Sequence, residues 1–272
     1  MRTESGYADL NGAHIYYEVA GEGYPLVFIH AGVADRRMWD EQVAHFANAY
    51  RVIRFDLRGF GNTKPVPGLF AHRHDLAALL AHLNVQHASL VGCSMGGMAA
   101  IDFTLEHPDM VDALVMVGSA PSSLDLDVPI PIKFEEAEAA EERQDWEGLI
   151  ELSAQIWYDG EGREPGQVDG SKRELMKQMQ RDALPYRRLE QGPALPMKPS
   201  AAERLHELHL PLLVICGSHD TPYILAASQY MEEHIPGARK VMLNSAHLPS
   251  MDCPAEFNQA LRDFLLQHVK HA

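Results

Sequence analysis

The chain has 272 residues, of which 46% are hydrophobic and 22% are charged, a composition typical of a globular protein with one large core. Its formal net charge of −15 disfavours nucleic acid and anionic membrane surfaces as partners, because both repel an acidic protein. No run approaches the roughly 18 apolar residues of a membrane span, and the first residues lack an apolar export segment. With three widely spaced cysteines, Cys93, Cys216 and Cys253, read as reduced thiols, we expect a cytoplasmic protein.

Short apolar runs alternate with amphipathic stretches along most of the chain. Residues 7–19 alternate around Asn11-Gly12, which predicts an antiparallel hairpin. Buried strands are predicted at residues 25–29, 51–56, 88–93, 113–117, 211–216 and 240–243. Helices are predicted at residues 36–49, 72–83, 95–107, 223–233 and 255–268. The alternation indicates an α/β fold with a mainly parallel eight-stranded sheet and helices on both faces.

The alternation stops between residues 121 and 200. This segment contains no predicted strand, and helices are predicted at residues 135–143, 146–158 and 171–184, separated by Pro- and Gly-rich breaks. A helical insertion between strands is most simply a cap over the active end of the sheet. We therefore expect a core of residues 1–120 and 201–272 and a helical cap of residues 121–200.

The spacing Gly92-x-Ser94-x-Gly96 lies between a buried strand and a helix of small residues. This context gives weight to a pattern that by itself is common. A serine on so sharp a strand-to-helix turn has a strained backbone and an exposed hydroxyl. Ser94 is therefore the predicted nucleophile. Cys93 precedes it, but adjacent side chains of a strand point to opposite faces, so we expect no catalytic role for this thiol.

A serine hydroxyl needs a histidine to accept its proton and a carboxylate to hold that histidine. Asp220 follows the strand at residues 211–216, and His247 follows the strand at residues 240–243. The carboxyl ends of parallel strands share one edge, so both side chains are expected beside Ser94. Asp125 and Asp127 are alternative acids after the preceding strand, and His219 is an alternative base.

The oxyanion formed during ester cleavage needs two backbone N–H donors. Met95 follows the nucleophile and supplies one, and the loop after the first buried strand supplies the other from Gly32, with Val33 as the alternative. His72-Arg73-His74-Asp75 is similar to the start of a zinc-hydrolase ligand run, but Leu76 and Ala77 replace the residues that would complete it. We expect neither a metal nor an organic cofactor.

The whole chain resembles the α/β-hydrolase superfamily. The landmarks of that family follow in order, as His30-Ala31-Gly32, Asp56-x-Arg58-Gly59-x-Gly61, Gly92-x-Ser94-x-Gly96-Gly97, Gly217-x-x-Asp220 and Ala246-His247. Within the superfamily the chain is most similar to microbial carboxylesterases, including esterases that open N-acyl-homoserine lactones and cleave pyrethroid esters. Two departures are Ala31, where glycine is commoner, and Asp252, where glutamate is usual.

These residues together predict a serine hydrolase that acts on a small or medium apolar carboxylic ester or lactone. The candidate pocket residues come from the cap and the strand ends: Leu124, Leu126, Trp157, Tyr158, Ile224 and Leu248, beside Met95. The same triad also serves carbon–carbon bond hydrolases and cofactor-free perhydrolases, and a receptor-like protein with a slow triad is an alternative of another class. The leaving group, acyl length and oligomeric state are not encoded in these motifs.

Overall fold

The computed structural model describes residues 3–269, apart from the side chains of Arg187 and Arg188. Within this range eight strands form one sheet, and each predicted strand is present. Their bounds are β1 Thr3–Leu10, β2 Ala13–Ala20, β3 Tyr24–Ile29, β4 Tyr50–Phe55, β5 Ala88–Cys93, β6 Val111–Val117, β7 Leu212–Gly217 and β8 Arg239–Leu243. The hairpin begins earlier than predicted because pairing with β2 extends to Thr3.

The strand order is β1-β2-β4-β3-β5-β6-β7-β8. The turn between β1 and β2 has φ of 49° at Asn11 and 80° at Gly12, the left-handed pair that a two-residue hairpin requires. β2 pairs with β4 in antiparallel register, and all neighbours from β4 to β8 are parallel. The carboxyl ends of the parallel strands therefore share one edge of the sheet.

Helices cover the sheet and form the segment that follows β6. The α-helices of the described chain are α1 Asp40–Phe46, α2 His72–His82, α3 Met95–Glu106, α4 Ile132–Glu142, α5 Trp146–Ala154, α6 Gly170–Ala183, α7 Ala201–Arg204, α8 Pro222–His234, α9 Pro249–Asp252 and α10 Pro254–His268. The helix predicted at residues 36–49 is shorter, because its first turn is a 3₁₀ turn at Arg36–Trp39. α9 was not predicted, and the non-helical backbone of Cys253 separates it from α10.

The sheet is buried on both faces. Val27 of β3 and Leu90 of β5 belong to a core that also contains Leu76 and Ile101, from α2 and α3. Their strand neighbours, Phe28 and Val91, point to the opposite face and pack with α10 residues, including Leu261. This alternation explains why the strands are continuous apolar runs and why the predicted two-sided packing is correct.

The segment between β6 and β7 contains α4, α5, α6 and the short α7. The helix predicted at residues 146–158 continues beyond Ala154 as a π-helical turn, Gln155–Asp159. α5 packs against both α4 and α6. The division into a core and a cap of residues 121–200 stays a prediction. None of the helices described between residues 3 and 269 combines the length and the apolar character needed to cross a membrane.

Candidate active site

Ser94 occupies the turn between β5 and α3 with φ of 51° and ψ of −115°, a conformation that non-glycine residues rarely adopt. The turn is tight. A side-chain carbon added to Gly92 would lie 2.4 Å from the carbonyl oxygen of Gly96, and one added to Gly96 would lie 2.3 Å from that of Ile29. The carbonyl of Ser94 also accepts a 2.7 Å bond from the Ser119 hydroxyl. Ser119 was missed, although it follows β6 at the same sheet edge.

His247 and Asp220 form a buried pair. Nδ1 of His247 is 2.9 Å from Oδ2 and 3.1 Å from Oδ1 of Asp220, and the two side chains are 2% and 0% exposed. Because a carboxylate only accepts hydrogen bonds, Nδ1 carries the proton and Nε2 is left as the basic nitrogen. Asp220 Oδ1 accepts a further 2.7 Å bond from the backbone N–H of Thr221, which fixes its orientation.

The alternative acids and base lie in other surroundings. Asp125 and Asp127 are exposed on the chain that follows β6. Both ring nitrogens of His219 are engaged, Nδ1 at 2.9 Å from the carbonyl of Glu161 and Nε2 at 3.1 Å from the side-chain oxygen of Asn244. The geometry therefore favours His247 and Asp220 over these residues.

The loop after β3 lies beside the start of α3. A side-chain carbon added to Gly32 would be 3.7 Å from Cβ of Met95, so the two predicted oxyanion donors are neighbours. His30 holds this loop. Its Nε2 accepts a 2.9 Å bond from the N–H of Leu57, so Nδ1 carries the proton that is donated to the Ala31 carbonyl at 2.8 Å. Burial lowers the pKa of His30, which keeps the ring neutral.

Ser94 and His247 line the same cavity, of about 520 Å³, which we call the Ser94 cavity. Of the predicted pocket residues, Leu126, Trp157 and Ile224 line it. Its other apolar side chains were not singled out from the sequence: Met98, Ala120, Val128, Ile130, Phe134 and Tyr223, with Pro121, Pro129 and Pro131. Residues 128–131 are irregular, and Phe134 lies in the first turn of α4, ahead of the helix predicted at residues 135–143, so no local pattern marked them as pocket residues.

The remaining pocket candidates lie elsewhere. Tyr158 and Leu248 are fully buried in the core between the sheet and the helices, and each is 0% exposed. The backbone carbonyl of Leu124 accepts a 2.8 Å bond from the Tyr223 hydroxyl, but its side chain does not line the Ser94 cavity. Apolar character at these positions serves packing.

Trp157 contacts the catalytic histidine candidate directly. The ring centroids of Trp157 and His247 are 4.5 Å apart, and the indole also meets Phe134 at 5.4 Å. Trp157 belongs to the π-helical turn that ends α5, a feature that often occurs at functional sites. The turn directs Trp157 toward the Ser94 cavity and the adjacent Tyr158 into the core.

The chain after the π-helical turn is bonded to the loops that carry Asp220 and His247. The N–H of Glu161 donates to the carbonyl of His219 at 2.7 Å, and Nδ1 of His219 donates in return. Arg163 forms a 2.8 Å ion pair with Asp252, just beyond His247. We call residues 158–163 the clamp. Asp252 stands where glutamate is usual, and its carboxylate still forms the ion pair with Arg163.

The run His72-Arg73-His74-Asp75 does not form a ligand set. Asp75 accepts two bonds from the Arg58 guanidinium, at 2.7 and 2.8 Å, in a pair that is nearly fully buried. Within the described part of the chain, no group of three or more histidine, cysteine, aspartate or glutamate side chains has a metal-binding arrangement. Burial also raises the pKa of the Cys93 thiol well above its usual value, so this thiol is a poor nucleophile.

The fold, together with the tight turn of Ser94 between β5 and α3, which we call the serine elbow, is typical of a family of hydrolases. The family model described as the alpha/beta hydrolase fold matches residues 24–254, and the chain belongs to that family. It is 25% identical to 3-oxoadipate enol-lactonase 2 of Acinetobacter baylyi, over 87% of this chain and 86% of that one. It is 28% identical to the pimeloyl-[acyl-carrier protein] methyl ester esterase of Aeromonas hydrophila, over 90% and 96%.

A solved structure supports the same assignment. The chain resembles Est816, described as an N-acyl homoserine lactone degrading enzyme, with a TM-score of 0.75 and 26% identity over 95% of this chain and 99% of that one. These descriptions agree with the predicted class of enzyme, a carboxylic ester hydrolase, and with the predicted resemblance to lactone-opening esterases. The resemblance to pyrethroid esterases stays a prediction.

Proposed function

We propose that this protein is a serine hydrolase that cleaves small or medium apolar carboxylic esters or lactones through an acyl-enzyme on Ser94. The observation that carries the proposal is the position of Ser94 and His247 on one cavity, with His247 bonded through Nδ1 to the buried Asp220. The backbone of Ser94 has the strained conformation expected of a serine whose hydroxyl projects from a strand-to-helix turn. The names of the relatives support the reaction class.

In the proposed reaction, Nε2 of His247 takes the Ser94 proton while Oγ attacks the substrate carbonyl carbon. The negative oxygen that forms is stabilised by the backbone N–H groups of Met95 and Gly32. The carbon–oxygen bond then breaks, and His247 returns the proton to the leaving alcohol. Water, deprotonated by the same histidine, attacks the acyl-enzyme and releases the acid, and Asp220 stabilises the transient imidazolium.

The walls of the Ser94 cavity support an apolar substrate. Leu126, Phe134, Trp157 and Ile224 offer apolar surface within the same cavity as the nucleophile. Removing an apolar chain from water is favourable by about 0.8 kcal/mol for each methylene group. The cavity of about 520 Å³ suits a small or medium acyl or alkyl group.

The first prediction tests the nucleophile. Ser94→Ala should abolish turnover of p-nitrophenyl esters, because the variant has no attacking oxygen, and should change the free energy of unfolding by less than about 1 kcal/mol. A fluorophosphonate probe should label Ser94 in the wild-type protein. The control is Ser123→Ala, which removes another hydroxyl from the same cavity and should keep the label.

Labelling at any other residue, or turnover by Ser94→Ala, would contradict the assignment. Steady turnover also separates this enzyme from a receptor-like protein, which would release one equivalent of nitrophenol and then stall.

A further inference from the structure

A second cavity, of about 480 Å³, lies between the core and the segment after β6, and we call it the His72 cavity. Gly32 and Met95, the proposed oxyanion donors, form part of its wall, and α5 and α6 supply another part. It shares no lining residue with the Ser94 cavity. Ser94 lines one cavity and the adjacent Met95 lines the other, so both cavities adjoin the serine elbow.

Two buried polar atoms in the wall of the His72 cavity lack a hydrogen-bond partner. They are Nδ1 of His72 and Nε2 of Gln180, and only six side-chain atoms of this kind occur in the described part of the chain. Buried polar atoms in proteins are nearly always bonded, so an unbonded pair at one cavity indicates a partner that enters from outside.

The two groups are suited to an uncharged partner. Burial lowers the pKa of His72 to about 4, so its ring is neutral at pH 7 and Nδ1 can accept a hydrogen bond. The ring is held edge-on against Phe70, with centroids 5.0 Å apart. The Gln180 amide can donate. None of the lining side chains that the structure describes is charged. A charged substrate group would therefore lose its hydration here without gaining an opposite charge.

We propose that His72 and Gln180 bind a carboxamide group on the part of the substrate that extends into the His72 cavity. A carboxamide carries an N–H for the neutral imidazole and a carbonyl for the Gln180 amide, so it satisfies both buried atoms. Apolar side chains of the same cavity, Leu149, Ile150 and Met179, accommodate the chain that carries it. This inference rests on the proposed ester hydrolysis and names the substrate class that the enzyme selects.

Two pairs of esters, each differing only by an amide in place of methylene groups, test the proposal. In the first pair the amide lies on the acyl side: p-nitrophenyl N-acetyl-β-alaninate and p-nitrophenyl hexanoate. In the second it lies on the alcohol side: N-(2-acetoxyethyl)acetamide and pentyl acetate. The readout is the ratio of kcat/KM, amide over alkyl, within each pair. A ratio taken within a pair cancels changes in folding or in the chemical step.

His72→Phe and Gln180→Met should each lower the amide-over-alkyl ratio about tenfold, the effect of losing one buried hydrogen bond. The loss should occur in whichever pair carries its amide on the side of the ester that enters the His72 cavity. His72→Asn places a polar atom near the Nδ1 position and should restore most of the ratio. Gln178→Met is the matched control, because Gln178 is exposed on the same helix and does not line the cavity.

An unchanged ratio in both pairs would overturn the proposal, and so would equal losses for amide and alkyl esters, which indicate a structural role. Preference for p-nitrophenyl glutarate over p-nitrophenyl pentanoate, lost in His72→Phe, would overturn it as well, since it requires a charged group in the cavity. Absence of Ser94-dependent turnover would instead contradict the proposed function and this inference together. Ser94-dependent turnover with a flat ratio contradicts this inference alone.

Discussion

Asp220 illustrates what a single residue contributes at this site. Three aspartates were candidates for the acid, because the sequence left Asp125 and Asp127 open as alternatives to Asp220. Asp220 is fully buried and bonded to both Nδ1 of His247 and the N–H of Thr221, whereas the other two are exposed. A buried carboxylate in water-free surroundings orients a histidine far more firmly than an exposed one.

Replacement of Asp220 by asparagine should therefore lower kcat by up to about 10⁴, since the amide favours the wrong histidine tautomer. Asp125→Asn and Asp127→Asn keep the same side-chain shape and serve as controls. Steady-state kinetics on one p-nitrophenyl ester compares the three variants. The opposite order of effects would assign the acid to the chain after β6.

At the scale of an element, the π-helical turn Gln155–Asp159 determines which aromatic residue reaches the site. Trp157 contacts His247, while Tyr158, the next residue, is 0% exposed in the core. From the sequence the two residues looked equivalent, because both are large aromatic side chains at the end of a predicted helix. The additional residue per turn in a π-helix rotates the positions that face the core.

Trp157→Ala should weaken the dependence of kcat/KM on acyl length. In the wild-type enzyme each added methylene should raise kcat/KM about threefold to fourfold until the Ser94 cavity is full, as expected from about 0.8 kcal/mol per buried methylene. The variant should show a shallower rise and nearly normal activity on the shortest ester. The measurement is log kcat/KM against acyl length.

Trp146→Ala, on the same helix but outside both cavities, is the control and should keep the wild-type slope. Parallel lines for wild type and Trp157→Ala would mean that Trp157 serves packing and does not contact the substrate.

The sheet and the serine elbow could be predicted because local patterns encode them. Continuous apolar runs mark strands buried on both faces, and the glycines around Ser94 mark a turn without room for side chains. The cavities could not be predicted in the same way. Phe134 and Gln180 reach cavities only through the packing of separate helices, and nothing at neighbouring positions indicates that they do.

At the scale of the whole molecule, stability depends on pH through buried histidines. Burial lowers the pKa of His30 and, to about 4, that of His72, whereas an unfolded chain titrates its histidines near pH 6.5. Below about pH 6.5 the unfolded chain therefore binds more protons than the folded one. The stabilisation that comes from keeping the two histidines neutral is therefore complete above about pH 6.5. It is lost as the pH falls toward their pKa values in the folded protein.

The free energy of unfolding should accordingly fall between about pH 6.5 and pH 4, before most carboxylates titrate. His72→Asn removes one of these protonation sites and should reduce the loss by on the order of 2–3 kcal/mol over that range. Urea unfolding at a series of pH values measures it. Identical profiles for wild type and His72→Asn would show that His72 takes up no proton on unfolding, because its pKa would then be the same in the folded and unfolded chains.

The clamp has a consequence for how new specificities arise in such a chain. Glu161 and Arg163 bond to His219 and Asp252, which lie on the same loops as Asp220 and His247. Residues 121–200 therefore cannot be exchanged for the corresponding segment of another protein without changing the contacts of these loops. A chimera joined at residues 121 and 200 would place the clamp residues of another protein beside the native loops that carry Asp220 and His247. We expect its substrate range to change and its catalytic rate to fall. Chimeras that also carry matching residues at 219 and 252 should recover the rate, so these positions are expected to evolve together with the clamp.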